Sequence, residues 1–367
     1  MKHFLFLISA VLVFSGCGRQ MAKRLVDDEA IQVSDSEIRL GESFRDSLSI
    51  RYLGCGGLYI RKGDQAFLVD PFFSNQGPLL CLPFKKLRHE RELIKGFFHE
   101  EFHSARDWDG IIKAVLVGHS HYDHIYDVPY IYKKHLHRDS AIIVGSRDAE
   151  LLLETAGIQP GWKGGPVRDV SELARSLWKE DRFITTENRR IRMLPILGSH
   201  APHAMGKKFL PVREPRRWGR RGYPHNAMKF WEGDNFTFLV DFLDEEGVVD
   251  FRMFIQSGAA STYPVGYPSE EVLAEKEVDL AFFCVASFDK IKRYPFEQIE
   301  RMKPRGIVLV HWENFFRPQK KLMEKPRTVP FTPVCRFVKE LKRMNGGLRM
   351  PIPWVMPNVG LGVEVYY

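Results

Sequence analysis

Six consecutive residues, His119-Ser120-His121-Tyr122-Asp123-His124, set three imidazoles and a carboxylate side by side. Imidazole nitrogen and carboxylate oxygen are the ordinary ligands of zinc and other first-row divalent cations. The run follows residues 111–117 (IIKAVLV), an almost unbroken apolar stretch that predicts a strand buried on both faces. A loop leaving such a strand can turn its side chains inward. In an extended loop, residues two apart face the same side, so His119 and His121 can serve one cation while Asp123 and His124 reach a second. The alternative, a polar loop with solvated histidines, accounts poorly for this many ligands in this order.

The elements that must position these groups are legible as apolar runs and turn signals. Residues 49–53 open a strand, 54–57 (GCGG) turn, 58–60 return, 63–64 turn again and 66–70 (AFLVD) make a third strand, which predicts an antiparallel meander. Residues 83–103 are charged and helical in character, 141–145 read as a buried strand, and 148–156 as a short helix stopped by Gly157. The second half repeats the theme. Strands are predicted over 190–197, 236–240, 251–255, 278–285 and 306–310, and helices over 268–276, 296–302 and 335–344, before a strand-like tail. Two halves of strands followed by helices point to sheets covered by helices in one α/β domain.

Composition bounds the class. The chain has 367 residues, 44% hydrophobic and 27% charged, which excludes a disordered chain, a collagen-like chain and a multi-span membrane protein. A net charge of +8 favours anionic partners without choosing among them. Five cysteines without CxxC spacing exclude a disulfide scaffold and argue against a thiolate zinc site; Cys55 and Cys284 read as small core residues.

The first residues read as an address. Met1-Lys2-His3 is basic, and residues 4–14 (FLFLISAVLVF) are apolar except for Ser9, too short to span a bilayer but right for a signal-peptide core. Phe14-Ser15-Gly16-Cys17 resembles a bacterial lipoprotein processing box. The resemblance implies removal of residues 1–16, lipidation of Cys17 and an envelope protein held to a membrane. Residues 17–48, polar and without apolar periodicity, read as a tether, and 49–367 as the folded domain.

The metal run, together with four further stretches, resembles the metallo-β-lactamase superfamily. Those stretches are residues 67–74 (FLVDPFFS), 198–200 (GSH), 263–271 (YPVGYPSEE) and 308–312 (VLVHW). The set is most similar to the branch containing N-acylphosphatidylethanolamine phospholipase D and the ascorbate-6-phosphate lactonases, over residues 49 to 316. The resemblance implies a four-layer αββα sandwich and two metal sites. His119, His121 and His200 hold the first cation; Asp123, His124 and His311 hold the second; Asp70 supports the metal loop from behind. In relatives a further Asp bridges the cations. Here that position falls on Ser257, in MFIQSGA (residues 253–259), with no carboxylate from 254 to 262. A hydroxyl is a poor substitute between two dications, which leaves the second metal weak, absent or bridged by hydroxide alone. Ser257→Asp is expected to raise occupancy.

The activity implied is metal-dependent hydrolysis of a phosphodiester, phospholipid-like ester or lactone, with one or two Zn2+ (or Mn2+ or Fe2+) acidifying a bound water and Asp123 orienting it and collecting its proton. The partners expected are an anionic small-molecule or lipid substrate and, through Cys17, a membrane, with no nucleic acid. The competing expectation is a degenerate domain that binds an anionic ligand without turnover.

Lesser signals complete the reading. His99-Glu100-Glu101-Phe102-His103 matches HExxH, a metalloprotease helix pattern, against the plainer reading of a solvated helix face. His203 and His225 are taken as neighbours of the site rather than ligands. Residues 207–221 carry seven basic residues and one Glu, most of the chain's +8. Arginine with tryptophan there suits phosphate and headgroups, as readily as it suits a solvated loop.

Overall fold

The computed structural model describes residues 36–41, 43–77, 85–102, 110–136, 141–175, 183–202, 222–261 and 266–367. The signal segment, Cys17, His103, His203, residues 207–221 and most of the tether lie outside the described residues.

In the first half the elements run β1 (Ser36–Arg39), β2 (Ser47–Gly54), β3 (Gly57–Lys62), β4 (Gln65–Val69), α1 (Arg91–Glu101), β5 (Ile112–Leu116), α2 (Tyr122–Ile125), α3 (Val128–His135), β6 (Ile142–Gly145), α4 (Arg147–Thr155), β7 (Val167–Asp169) and α5 (Ser171–Arg175). The second half runs β8 (Ile184–Thr185), β9 (Ile191–His200), β10 (Asn235–Leu243), β11 (Val249–Gln256), β12 (Ala260–Ser261), α6 (Glu270–Glu275), β13 (Leu280–Cys284), α7 (Phe296–Met302), β14 (Gly306–Val310), α8 (Gln319–Glu324), α9 (Val334–Gly346), β15 (Trp354–Val355) and β16 (Gly362–Tyr366).

These form two eight-stranded sheets. The first has the order β1-β16-β2-β3-β4-β5-β6-β7; the second has β12-β9-β10-β11-β13-β14-β15, with β8 beside β9. Each starts as an antiparallel meander (β2-β3-β4, β9-β10-β11) and continues as parallel strands reached through helices (β4-β5-β6-β7, β11-β13-β14-β15). The parallel strands are buried on both faces, so β13 (LAFFC) and β14 (GIVLV) are apolar at nearly every position.

The period of two splits the first sheet cleanly. Leu58, Ile60, Phe67, Val69, Ala114 and Leu116 face the second sheet. Tyr59, Ala66, Leu68, Val115 and Ile143 face outward, under Phe98 of α1, Ile131 of α3 and Leu152 of α4. Phe67 meets Phe242 across the inter-sheet core with ring centroids 5.8 Å apart. On the far side, Ile299 of α7 and Phe337 and Leu341 of α9 close over the second sheet. The chain is therefore an α/β four-layer αββα sandwich.

One expectation needs correction. The tether does not extend to residue 48: β1 pairs in parallel with β16 over Ser36–Arg39, and Leu40 N–H donates to the Tyr366 carbonyl at 2.9 Å. Ile38 and Leu40 are buried, which anchors this otherwise polar stretch. The C-terminal β16 inserts between β1 and β2, so the first sheet takes strands from both ends of the chain.

Candidate metal centre

Each candidate side chain follows, or ends, a buried strand of one of the two sheets. Asp70 follows β4, His119 to His124 follow β5, His200 ends β9, Ser257 follows β11 and His311 follows β14. The twist of two stacked sheets brings these C-terminal ends together, although 192 residues separate the first histidine from the last.

The structure brings the six ligand candidates into two groups. One ligand atom from each of His119, His121 and His200 lies within 4.8 Å of the others, and the same holds for Asp123, His124 and His311. The groups adjoin, since the rings of His119 and His124 are 3.9 Å apart between centroids. Local backbone makes the split. His119 and His121 alternate on extended chain and point the same way. Asp123 and His124 then sit on α2, a single helical turn, where an extended loop had been expected. The turn carries them away from His121, towards His311.

The donor chemistry fits divalent cations. Nε2 of His119 and Nδ1 of His121 face each other at 2.8 Å, close enough to share a proton or to turn together towards one ion. Nδ1 of His200 lies 2.7 Å from the Ala201 carbonyl, so that nitrogen carries its proton and Nε2 keeps a lone pair. Oδ2 of Asp123 is 3.8 Å from Nε2 of His124 and 3.7 Å from Nε2 of His311. Burial and the neighbouring imidazoles hold His119 well below the usual histidine value, which keeps it neutral and able to ligate. Burial opposes charge on His124, but Asp70 and Asp123 outweigh it and raise its pKa. Burial likewise opposes charge on Asp123, and His124 and His311 outweigh it, holding that carboxyl below the usual range.

Asp70 acts from behind the ligands. Its Oδ1 accepts the Gly118 N–H at 2.7 Å and its Oδ2 lies 2.7 Å from Nδ1 of His124. The first contact fixes where the ligand loop begins; the second fixes which nitrogen of His124 faces the site. Asp70 has φ 41° and His311 φ 54°, both left-handed without being glycine. Such strain persists only where the surroundings impose it, and it clusters at functional sites.

Sequence reasoning missed the support of His311. Its N–H donates to Oη of Tyr52 at 2.7 Å; Tyr52 hydrogen-bonds Glu313, whose other oxygen accepts the Cys55 N–H at 2.5 Å. Tyr52 reads in the sequence as one more strand core residue, and an acid two residues after a ligand carries no signature. Trp312 pins the same loop by donating Nε1–H to the Pro357 carbonyl at 3.0 Å.

Ser257 is buried beside this centre. A Cβ on Gly118 would lie 2.8 Å from its Oγ and 2.9 Å from Oδ2 of Asp70, so glycine is needed for the two strand ends to approach. Among the described residues, Asp123 is the one carboxylate within either ligand group.

The remaining candidates fall away from it. His99 and Glu100 are exposed on α1, and Glu100 pairs with Arg51 at 2.5 Å. Within the described part of HExxH, His99 and Glu100 thus face solvent while Phe102 packs into the core. His225 is exposed, with Nδ1 3.2 Å from Oη of Tyr126. Cys55 and Cys284 are buried free thiols. Among the described residues no helix is long and apolar enough to cross a membrane.

No protein-family model matches the chain, and no curated protein does either. Solved structures do. The metallo hydrolase Igni18 from Ignicoccus hospitalis is 11% identical, with TM-score 0.47 over 88% of this chain and 99% of its own. An isothiocyanate hydrolase from Delia radicum gut bacteria is 12% identical, with TM-score 0.47 over 86% of this chain and 98% of its own. A diphosphatase of the PhnP family is 10% identical, with TM-score 0.40 over 87% of this chain and 97% of its own. Similarity at this level says nothing about activity, which has to be read from the side chains.

Proposed function

We propose that this chain is a metal-dependent hydrolase, and that His119, His121 and His200 hold one divalent cation and Asp123, His124 and His311 another. The observation that carries this reading is the pair of adjoining three-ligand groups, each gathered within 4.8 Å from separate strand ends. Structural histidines seldom crowd this way, because each buried imidazole needs its own hydrogen-bond partner. A cation bound there supplies an acidified water and a Lewis-acid contact to a phosphoryl or carbonyl oxygen.

The chain's own residues do the rest. Asp70 keeps the ligating nitrogen of His124 turned to the site. Asp123, held anionic by His124 and His311 against the effect of burial, orients the attacking water. The substrate class we infer is a phosphodiester, phospholipid-like ester or lactone, and the cation zinc, with manganese or iron as substitutes. The branch resemblance and the basic excess support an anionic substrate. Lipidation at Cys17 would hold the enzyme to a bacterial envelope membrane, where such lipids are found.

The test is metal analysis of purified protein combined with turnover of bis(p-nitrophenyl) phosphate, p-nitrophenyl acetate and a simple lactone, with His121→Ala as control. Stoichiometric metal with turnover lost in His121→Ala supports hydrolysis. Stoichiometric metal without turnover of any substrate favours the non-catalytic, anion-binding reading instead.

A further inference from the structure

We propose that Glu313 is a positioning residue and a fixed counter-charge for the Asp123–His124–His311 site, and that this side therefore takes up its cation more tightly than the three-histidine side. The inference rests on the metal-dependent reading above and goes beyond it in assigning unequal roles to the two groups.

The hydrogen bonds fix the direction of every proton. The His311 N–H donates to Tyr52 Oη, so the Tyr52 hydroxyl proton is left for Glu313. The Cys55 N–H donates to the other Glu313 oxygen. Glu313 thus accepts at both oxygens, as an ionised carboxylate does. It is fully buried, and among the described residues no Lys or Arg pairs with it. A buried carboxylate without a counter-ion is costly unless a positive charge sits nearby.

A cation at this side supplies that positive charge while the His124 imidazole stays neutral as its ligand. Asp70, Asp123 and Glu313 are all buried around the His124–His311 side. The three-histidine group has no carboxylate among its ligands. Ser257 adds no charge where the resemblance expects a bridging carboxylate, so negative charge is concentrated on one side of the centre. Glu313 also acts through geometry. Tyr52 ties its carboxylate to the main chain of His311 at the residue held in the left-handed region. Releasing that tie lets the ligand relax away from the site.

The experiment is titration of Zn2+ into metal-free full-length protein against a chromophoric chelator. Wild type is compared with Glu313→Gln, which removes the charge, and Tyr52→Phe, which removes the tie and leaves the charge. His311→Ala and His200→Ala identify the two classes of site, and apo-protein melting curves report folding. The tighter class is expected to be the one lost in His311→Ala. Glu313→Gln is expected to weaken that class about 10- to 100-fold, in the range seen for groups behind metal ligands. Tyr52→Phe should weaken it by a smaller factor, and the class lost in His200→Ala should be unchanged in both. If Glu313→Gln does not fold, Tyr52→Phe decides: a selective loss at the His311 class supports the proposal and no change overturns it. A folded Glu313→Gln that binds both cations within twofold of wild type overturns this proposal alone. Wild type that binds no Zn2+ overturns the metal-dependent reading with it.

Discussion

Oδ2 of Asp70 lies 2.7 Å from Nδ1 of His124, while Oδ1 of the same carboxylate accepts the Gly118 N–H at 2.7 Å. One side chain, at the end of β4, therefore sets both the start of the ligand loop and the orientation of its last histidine. Asp70→Asn keeps the size but removes the charge that selects the Nδ1–H tautomer. Cation affinity at the His124 side should fall about 10- to 100-fold. Chelator competition measures this; unchanged affinity would show that Asp70 serves folding alone.

The close approach of two strand ends gives a second prediction. Gly118→Ala drives a methyl group to 2.8 Å from Ser257 Oγ and 2.9 Å from Asp70 Oδ2. Overpacking of this kind costs about 1–3 kcal/mol, and the atoms displaced include the carboxylate behind His124. The variant should melt at lower temperature and lose cation from the His124 side first. A variant with wild-type melting and wild-type metal content would contradict the packing described.

Asp148 in the first turn of α4 is buried, with Oδ1 unpartnered and its pKa pushed up to about 6 by burial and by Asp234. The fold favours the protonated acid, so native Asp148 binds a proton more tightly than the unfolded chain does. Its contribution to stability is present below the unfolded value of 3.8 and declines as pH rises through about 6. Asp148→Asn should raise the melting temperature at pH 8 and leave it little changed at pH 4. Thermal melts at the two pH values check this; equal shifts at both would refute the sign.

Much of the framework can be read from the chain because buried parallel strands need uninterrupted apolar residues. Leu280–Cys284 and Gly306–Val310 announce themselves in that way. The helix Arg147–Thr155 is equally plain, with Ser146 Oγ accepting the Ala149 N–H and Gly157 just beyond. Strand β1 is not, since Ile38 is buried between exposed Glu37 and Arg39 and its partner lies at the far end of the chain. Within the site, the extended spacing of His119 and His121 is a local property, so it can be deduced. The grouping of His200 and His311 depends on two sheets meeting, and without the family resemblance nothing local would assign them. Glu313 escaped both routes, because its partners Tyr52 and Cys55 lie more than 250 residues away in sequence.

The central claim is that two adjoining ligand groups hold catalytic cations. It is tested most directly by counting metal in purified full-length protein and in His121→Ala while following bis(p-nitrophenyl) phosphate, p-nitrophenyl acetate and lactone turnover. We expect up to two equivalents of divalent cation in the wild type, fewer in His121→Ala, and hydrolysis of at least one substrate that falls with the metal. Protein that stays folded and holds no stoichiometric metal under any loading condition would contradict the account.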